Sequence, residues 1–250
     1  MKPLVATVNQ LFDRLNVAAA AQRAFVSDAA HQLRTPLAAL RTESELALLE
    51  PHSESMRPVL LNLKTSADRA AHLASQLLTL ARLDPEARGS SKPVSVDLMD
   101  IAADAAREWS PRAFDVDADL GFELEPATAR GRQWLLREAL FNLIHNSLEY
   151  DSRPARITVR TRISDGAPEL SVEDDGPGIP ASERERVLQR FVRGRDAQGK
   201  GSGLGLPIVA QIAELHGAAL HLDVPDSGRG LLVRLRFPPA PRAEDKQLPA

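Results

Sequence analysis

Glycine is confined to one part of this sequence, and its distribution divides the chain into two regions. All 14 glycines of the 250-residue chain lie between Gly89 and Gly230, so the first 85 residues contain none. Glycine supplies the tight turns that mixed folds need, whereas a long stretch without it favours uninterrupted helix. The segment 84–93 combines proline, glycine and serine, which is typical of a linker and predicts a domain boundary.

The glycine-free region carries apolar residues with the spacing of helical seams. The first seam consists of Leu4, Val8, Leu11, Leu15, Ala18, Gln22, Phe25 and Ala29, and continues after a one-residue shift through Ala30, Leu33, Leu37 and Leu40. After Pro51 the second seam consists of Met56, Leu60, Leu63, Ala67, Ala70, Ala74, Leu77 and Ala81. Such seams predict supercoiled helices, and two helices alone cannot bury them well. We expect an all-α helical hairpin that dimerises into a four-helix bundle, with an intramolecular helical subdomain as the alternative.

His31 falls at an outward position of the first seam, just after Ala29 and Ala30. Pro36 follows within the same helical pattern, where proline removes a backbone hydrogen bond and bends the helix. A helix-bending residue near an exposed imidazole indicates that the local geometry serves a function. The alternatives are an ordinary surface histidine and a tolerated kink.

The region after the linker mixes helix and strand patterns. Helices are predicted at 101–109, 133–148 and 204–216, and extended segments at 114–125 (with a turn at Leu120-Gly121), 157–163, 169–173, 219–224 and 231–237. Asp165-Gly166 separates two of the extended segments, which predicts a β-hairpin. Antiparallel strands with helices between them predict an α+β two-layer sandwich.

Two glycine clusters and an asparagine pair are the candidate chemical features of this region. One cluster, 174–179, ends a predicted strand, and the other, 199–206, opens a predicted helix. The second has the properties of a phosphate cradle, although it fits neither the Rossmann nor the P-loop pattern. Asn142 and Asn146 lie one helical turn apart. Because asparagine is unfavourable inside helices, the pair indicates a polar task such as holding a hydrated cation, with a buried polar pair as the alternative.

Composition excludes several classes of function. The absence of cysteine excludes disulfides, thiolate metal sites and cysteine nucleophiles, and the six histidines lack zinc-ligand spacing. The net charge of −3 does not indicate nucleic-acid binding. No stretch approaches the ~18 consecutive apolar residues of a membrane span.

Taken in order, these features resemble the sensor histidine kinases of two-component systems. Residues 25–37 resemble the H box of that family, 142–146 its N box, 174–178 its first glycine box, 190–193 its F box and 201–206 its second glycine box. The resemblance implies a phosphoacceptor and dimerisation hairpin, followed by the ATP-binding sandwich shared with gyrase and heat-shock chaperone ATPases.

The resemblance also implies the residues of an ATP and Mg²⁺ site. Asp174 would accept a hydrogen bond from the adenine amino group, and Asn146, helped by Asn142, would hold Mg²⁺. The residues that it places at the nucleotide are Asn142, Asn146, Tyr150, Asp174, Gly176, Gly178, Arg193, Lys200, Gly201, Gly203, Leu204 and Gly205.

For the chemistry, the resemblance implies autophosphorylation of His31 by ATP and transfer to an aspartate on the receiver domain of a response regulator. Its catalytic residues would be His31, Gln32, Thr35 and Asn142, with Thr35 orienting water for the reverse, phosphatase reaction.

Two residues depart from the family pattern. Gln32 stands where an acidic residue usually follows the histidine, and Glu149 stands where a basic residue is usual. They keep open a nucleotide-binding dimeric regulator with weak or phosphatase-biased activity. An ATPase motor domain is disfavoured, because such relatives carry a glutamate at the position of Asn142.

The expected organisation has four parts: a signalling-helix remnant at 1–20, the phosphotransfer hairpin at 21–86, the ATP-binding domain at 93–238 and a disordered tail at 239–250. We expect a homodimer formed through the hairpin, without direct nucleic-acid contact. We also expect the chain to be the cytoplasmic part of a bacterial inner-membrane sensor, reaching the membrane only through a segment absent from this sequence.

Overall fold

The computed structural model of the protein describes residues 93–150, 155–193 and 201–239, together with scattered positions between Gln32 and Leu80. The chain separates into two compact units, Met1–Leu78 and Thr79–Ala250. In these described parts, no helix combines the length and the apolar character needed to cross a membrane.

Every described residue of the first unit is helical. Leu40 of the first seam and Leu63, Ala70 and Leu77 of the second are among them, and so is Pro36. At these positions the helical prediction is confirmed.

Between Val94 and Arg236, the described part of the second unit contains three helices and seven strands. In chain order they are β1 (Val94–Asp97), α1 (Leu98–Asp115), β2 (Asp119–Leu124), β3 (Thr128–Gly131), α2 (Gln133–Tyr150), β4 (Arg156–Ser164), β5 (Ala167–Asp174), α3 (Gly205–Leu215), β6 (Ala219–Asp223) and β7 (Leu231–Arg236). Two short 3₁₀ turns, Ala181–Glu183 and Arg186–Leu188, lie between β5 and α3.

Five strands form one sheet in the order β2-β4-β5-β7-β6, and β1 pairs with β3 in a separate two-stranded sheet. β2 pairs with β4 in parallel. The pairs β4–β5, β5–β7 and β6–β7 are antiparallel. This order places the end of β5 beside the start of β7, in the middle of the sheet.

The helices cover one face of the five-stranded sheet. Because successive strand residues point to opposite faces, Ile157 and Val159 of β4 share the covered face with Leu170 and Val172 of β5. These side chains are buried, as are the apolar residues that the helices bring to the core: Leu98, Ile101, Leu135, Leu136, Leu140, Ile144, Ile208 and Ile212. This core holds α2 and α3 against the strands.

The other face of the sheet carries charged pairs between neighbouring strands. Arg162 on β4 lies opposite Glu169 on β5 and pairs with it at 2.8 Å. Arg160 pairs with both Glu123 of β2 and Glu173 of β5. The next strands continue the pattern, because Arg234 of β7 pairs with Asp223 of β6.

The α+β sandwich and the hairpin at Asp165-Gly166 are confirmed, but several local details differ from the prediction. The helix predicted at 101–109 extends from Leu98 to Asp115, so it includes Phe114. Its start is fixed by Asp97, whose carboxylate accepts a hydrogen bond from the Met99 N–H at 3.0 Å. β2 runs unbroken through Leu120 and Gly121, because pairing along β4 overrides the local turn signal. The pairing of β2 is also parallel, and the four-residue strands β1 and β3 were not predicted.

Candidate functional site

The end of β5 carries a carboxylate that is held by three hydrogen bonds. Asp174 is the last residue of the strand. Its Oδ1 accepts from the backbone N–H groups of Gly176 and Leu231, both at 3.1 Å. Its Oδ2 accepts from the hydroxyl of Ser147 on α2 at 3.0 Å. Donors from a helix, a turn and the neighbouring strand therefore fix the position of this carboxylate.

The pKa of Asp174 lies above its ordinary value because burial disfavours the charged form. The hydrogen bonds from Ser147, Gly176 and Leu231 act against this rise, and the neighbouring charge of Asp175 adds to it. A partly desolvated carboxylate with fixed geometry is typical of a binding site.

The chain that follows Asp174 passes very close to the chain that precedes β7. Gly178 and Gly230 have left-handed backbones, with φ of +72° and +101°. A Cβ on Gly178 would lie 2.5 Å from the Gly230 carbonyl oxygen, and a Cβ on Gly230 would overlap the Asp174 carbonyl oxygen. Both positions require glycine, for conformation and for space.

Asn146 lies against the start of α3. A Cβ on Gly205, the first residue of that helix, would lie 2.8 Å from Asn146 Oδ1. The carboxamide is therefore at a helix N-terminus, where backbone N–H groups lack helical partners and the dipole favours anions. Asn146 and Ser147 are consecutive, so one turn of α2 contacts both glycine clusters.

The F box contacts the second glycine cluster through the backbone. The Phe191 N–H donates to the Gly203 carbonyl oxygen at 2.9 Å. Phe191 has a φ of +62°, a conformation that non-glycine residues rarely adopt. Arg193 follows two residues later with an exposed side chain. This hydrogen bond holds Phe191 beside Gly203, which lies two residues before the first residue of α3.

Asn142 is buried, with 1% of its surface exposed, and its side-chain Nδ2 donates to the Glu138 carbonyl oxygen at 2.8 Å. Such back-bonding to the preceding turn is common for polar residues inside helices. The carbonyl oxygen of this side chain is the atom with the chemistry of a metal ligand.

The structure brings many of the predicted nucleotide residues into two groups linked by α2. One group contains Asp174, Gly176 and Gly178, and the other contains Asn146, Gly203, Leu204 and Gly205. Gly201 precedes the second group in the same loop.

Several other predicted residues have no described contacts. His31, Thr35 and Lys200 lie outside the described residues, and so does the side chain of Tyr150, whose backbone ends α2. Gln32 is helical and partly exposed.

Three residues of this site were missed by the sequence analysis: Ser147, Gly230 and Leu231. Ser147 lies 27 residues before its partner Asp174, and Leu231 lies 57 residues after it. No local pattern connects residues so far apart. The available signals were a third polar residue directly after Asn146 and a glycine at the start of the last strand.

The arrangement suits a ligand with a hydrogen-bond donor at one end and a polyanion at the other. Asp174 is the acceptor, and the glycines at the start of α3 allow a phosphate to approach the helix N-terminus. Among the described residues, no group of three or more His, Cys, Asp and Glu could hold a metal ion. The oxygen donors that α2 offers are the side-chain amides of Asn142 and Asn146, and Mg²⁺ prefers oxygen ligands together with the phosphates of a substrate.

Fold and site define a domain of the ATPase class: residues 131–241 match the family of histidine kinase-, DNA gyrase B- and HSP90-like ATPases. Residues 21–86 match the His kinase A (phospho-acceptor) domain. With both domains in this order, the chain belongs to the sensor histidine kinases of two-component systems.

Known relatives agree with these matches. The sensor protein kinase PmrB of Pseudomonas aeruginosa is 35% identical over 239 residues, covering 95% of this chain and 50% of PmrB. The structure of the mycobacterial sensor histidine kinase MprB is 31% identical with a TM-score of 0.54, covering 59% of this chain and 99% of the MprB chain. The structure of full-length ShkA in complex with AMPPNP is 25% identical with a TM-score of 0.55, covering 84% of this chain and 45% of ShkA. The chain spans about half the length of the curated relatives it matches.

Proposed function

We propose that this chain is the kinase core of a two-component sensor, which phosphorylates His31 with ATP and passes the phosphoryl group to an aspartate of a response regulator. The observation that carries the proposal is the prearranged carboxylate of Asp174 beside two glycine clusters, in a chain that also has a phospho-acceptor domain. We place that domain at 21–86 and the ATP-binding domain at 93–238.

In this proposal the two groups of site residues bind opposite ends of ATP. Asp174 accepts a hydrogen bond from the adenine amino group, and Gly176 and Gly178 let the backbone pass under the base. The triphosphate lies along Gly201, Gly203, Leu204 and Gly205. Arg193 and Lys200 supply positive charge to the phosphates, and Tyr150, at the position of a family aromatic after the N box, completes the set of nucleotide residues.

Mg²⁺ fits the donor set, because Asn142 and Asn146 both offer amide oxygens and Asn146 lies beside the start of α3. Asn146, helped by Asn142, would hold the ion. The chemistry that the ion supplies is neutralisation of charge on the phosphate oxygens.

A neutral ring nitrogen of His31 attacks the γ-phosphorus. A nitrogen–phosphorus bond forms as the bond to the bridging oxygen breaks, and ADP leaves. The imidazole must also lose a proton. The amide of Gln32 accepts a hydrogen bond but cannot take up a proton, so we expect the proton to leave by another route. Thr35 follows His31 by four residues in the sequence and orients water for dephosphorylation of the regulator.

The proposal includes two partners, one required by the phosphoryl transfer and one by the apolar seams of the hairpin. A receiver domain with an acceptor aspartate takes the phosphoryl group, and two copies of the hairpin form the homodimer. We place the reaction in the cytoplasm, where ATP and Mg²⁺ are available, within a longer membrane-anchored sensor.

The test is labelling of the chain with γ-labelled ATP, with and without Mg²⁺. We expect a phosphoryl group that is labile in acid and stable in alkali, as phosphohistidine is. His31→Gln should abolish labelling and leave ATP affinity nearly unchanged, because acceptor and nucleotide site belong to different domains.

Other outcomes of the same assay overturn the proposal. Labelling of His31→Gln at the normal rate would place the acceptor elsewhere, with His72 and His145 as the next candidates. Release of free phosphate alone would indicate an ATPase. ATP binding without labelling or release would indicate a nucleotide-binding regulator.

A further inference from the structure

Ser147 has an unusual contact for a serine within a helix. A helical serine commonly bonds back to a carbonyl oxygen of the preceding turn. The Ser147 hydroxyl instead reaches out of α2 and donates to Asp174 Oδ2 on β5 at 3.0 Å. Ser147 is only 5% exposed, so its hydroxyl is bonded to Asp174 and shielded from bulk water.

Counting acceptor positions shows what this contact does to Asp174. A carboxylate oxygen has two lone pairs. Both positions of Oδ1 are taken by the backbone N–H groups of Gly176 and Leu231. Ser147 takes one position of Oδ2, so a single acceptor position on Oδ2 is left for a ligand.

We propose that Ser147 is a positioning residue for nucleotide selection: it orients Asp174 so that one acceptor position on Oδ2 faces the purine and selects a base with a 6-amino donor. This inference rests on the proposed function and concerns the same site. It assigns the role to a residue that does not touch the phosphates and acts on the base through another side chain.

The electrostatics of the site support this role. Burial raises the pKa of Asp174, and the hydrogen bond from Ser147 is the largest influence that opposes the rise. A protonated Asp174 would present a donor of its own to the adenine amino group. The hydroxyl therefore helps to fix both the direction and the charge of the acceptor.

The test compares two nucleotides by calorimetry on the full chain with Mg²⁺. One is ATP, and the other is purine riboside triphosphate, which carries hydrogen in place of the 6-amino group. Wild type should prefer ATP. In Ser147→Ala, ATP affinity should fall about three- to tenfold while the analogue changes less than about twofold, so the preference shrinks.

Two variants separate positioning from a loss of structure. Ser147→Thr keeps the hydroxyl and should restore the preference for ATP. Ser171→Ala removes another buried serine, on β5 but on the opposite face of the sheet from Asp174, and should leave both affinities unchanged.

If Ser147→Ala weakened the binding of both nucleotides equally, or left the preference for ATP over the analogue unchanged, the inference would be overturned and the proposed function would stay intact. Failure of the wild-type chain to bind ATP would overturn the proposed function and the inference together.

Discussion

Leu170 and Glu169 are neighbours on β5, yet they point to opposite faces of the sheet and are buried in different ways. Leu170 is fully buried on the face that the helices cover. Glu169 is 3% exposed on the other face, where its carboxylate accepts from Arg162 Nε at 2.9 Å and Nη2 at 2.8 Å. Apolar packing excludes water from one face. On the other face, arginine side chains that lie across the strands shield the buried carboxylate from water.

The two kinds of burial serve different ends. Apolar contact is non-directional and supplies most of the free energy of folding. Ion pairs between opposite residues, such as Arg162 and Glu169, favour one strand register. On the covered face of β5, Asp174 is the only ionisable residue, and it lies where the strand ends and the candidate site begins. Leu170 and Glu169 stabilise the sheet, whereas the burial of Asp174 disfavours its charged form.

The largest expected effect is on the apolar face. Leu170→Ala should lower the free energy of unfolding by about 2–5 kcal/mol, because it leaves a cavity in a packed core. Urea denaturation followed by circular dichroism measures the change. The matched variant Leu170→Met keeps the volume and should cost less than about 1.5 kcal/mol. A loss below about 1 kcal/mol for Leu170→Ala would show that the core closes around the gap.

Asp174→Asn should separate binding from stability. An amide cannot supply the charged acceptor, so ATP affinity should fall about ten- to a hundredfold, or about 1.5–3 kcal/mol. The raised pKa of Asp174 means that its stabilising contribution is present at low pH and is lost as pH rises through the folded-state pKa. Near neutral pH the variant should therefore unfold at the same or a higher temperature. Reduced thermal stability near neutral pH would contradict this account.

Glu169→Gln tests the charged face at the position next to Leu170. The variant keeps the shape and one acceptor but removes the charge, and Arg162 is exposed enough to be rehydrated. We expect a loss of about 1–2 kcal/mol in urea denaturation, smaller than for Leu170→Ala. A loss equal to that of Leu170→Ala would mean that the two faces contribute alike.

The smallest effect is expected at the rim of the charged face. Arg236 and Asp165 pair at 2.9 Å, with 36% and 82% of their side chains exposed. Asp165→Asn should change the free energy of unfolding by no more than about 0.5 kcal/mol, and the difference should vanish in about 1 M salt. Asparagine accepts the left-handed backbone at this turn position, so the hairpin is kept. A salt-insensitive loss would point to the turn rather than to the pair.

The features that could be predicted from the sequence are those with local signals. Asp165-Gly166 predicted its hairpin because both residues adopt a positive φ, which few residue types favour. The glycine clusters and Asn146 also carry local signals, because glycine allows close approach of a ligand and asparagine is unfavourable within a helix. The contacts of Ser147 and Leu231 with Asp174 were not, because they depend on tertiary packing.

His216 is a second example of what the sequence does not reveal. It was predicted only as the end of a helix. In the structure its Nε2 accepts from the Arg132 N–H at 3.1 Å and its Nδ1 donates to the Ile212 carbonyl oxygen at 2.7 Å. Burial lowers its pKa. The hydrogen bond between the Arg132 N–H and the His216 ring depends on tertiary packing, which brings Arg132 beside the end of α3.

The strand order of the sheet also sets the order in which the molecule can assemble. The β4–β5 hairpin joins adjacent segments, whereas the parallel pair β2–β4 needs a crossover and the contact of Leu231 with Asp174 spans 57 residues. Because closing longer loops costs more entropy, we expect the hairpin to form early and the carboxylate to receive its last donor late. A nucleotide that recognises only the finished pocket stabilises the native state and not the transition state before it. ATP should therefore slow unfolding and leave the folding rate unchanged.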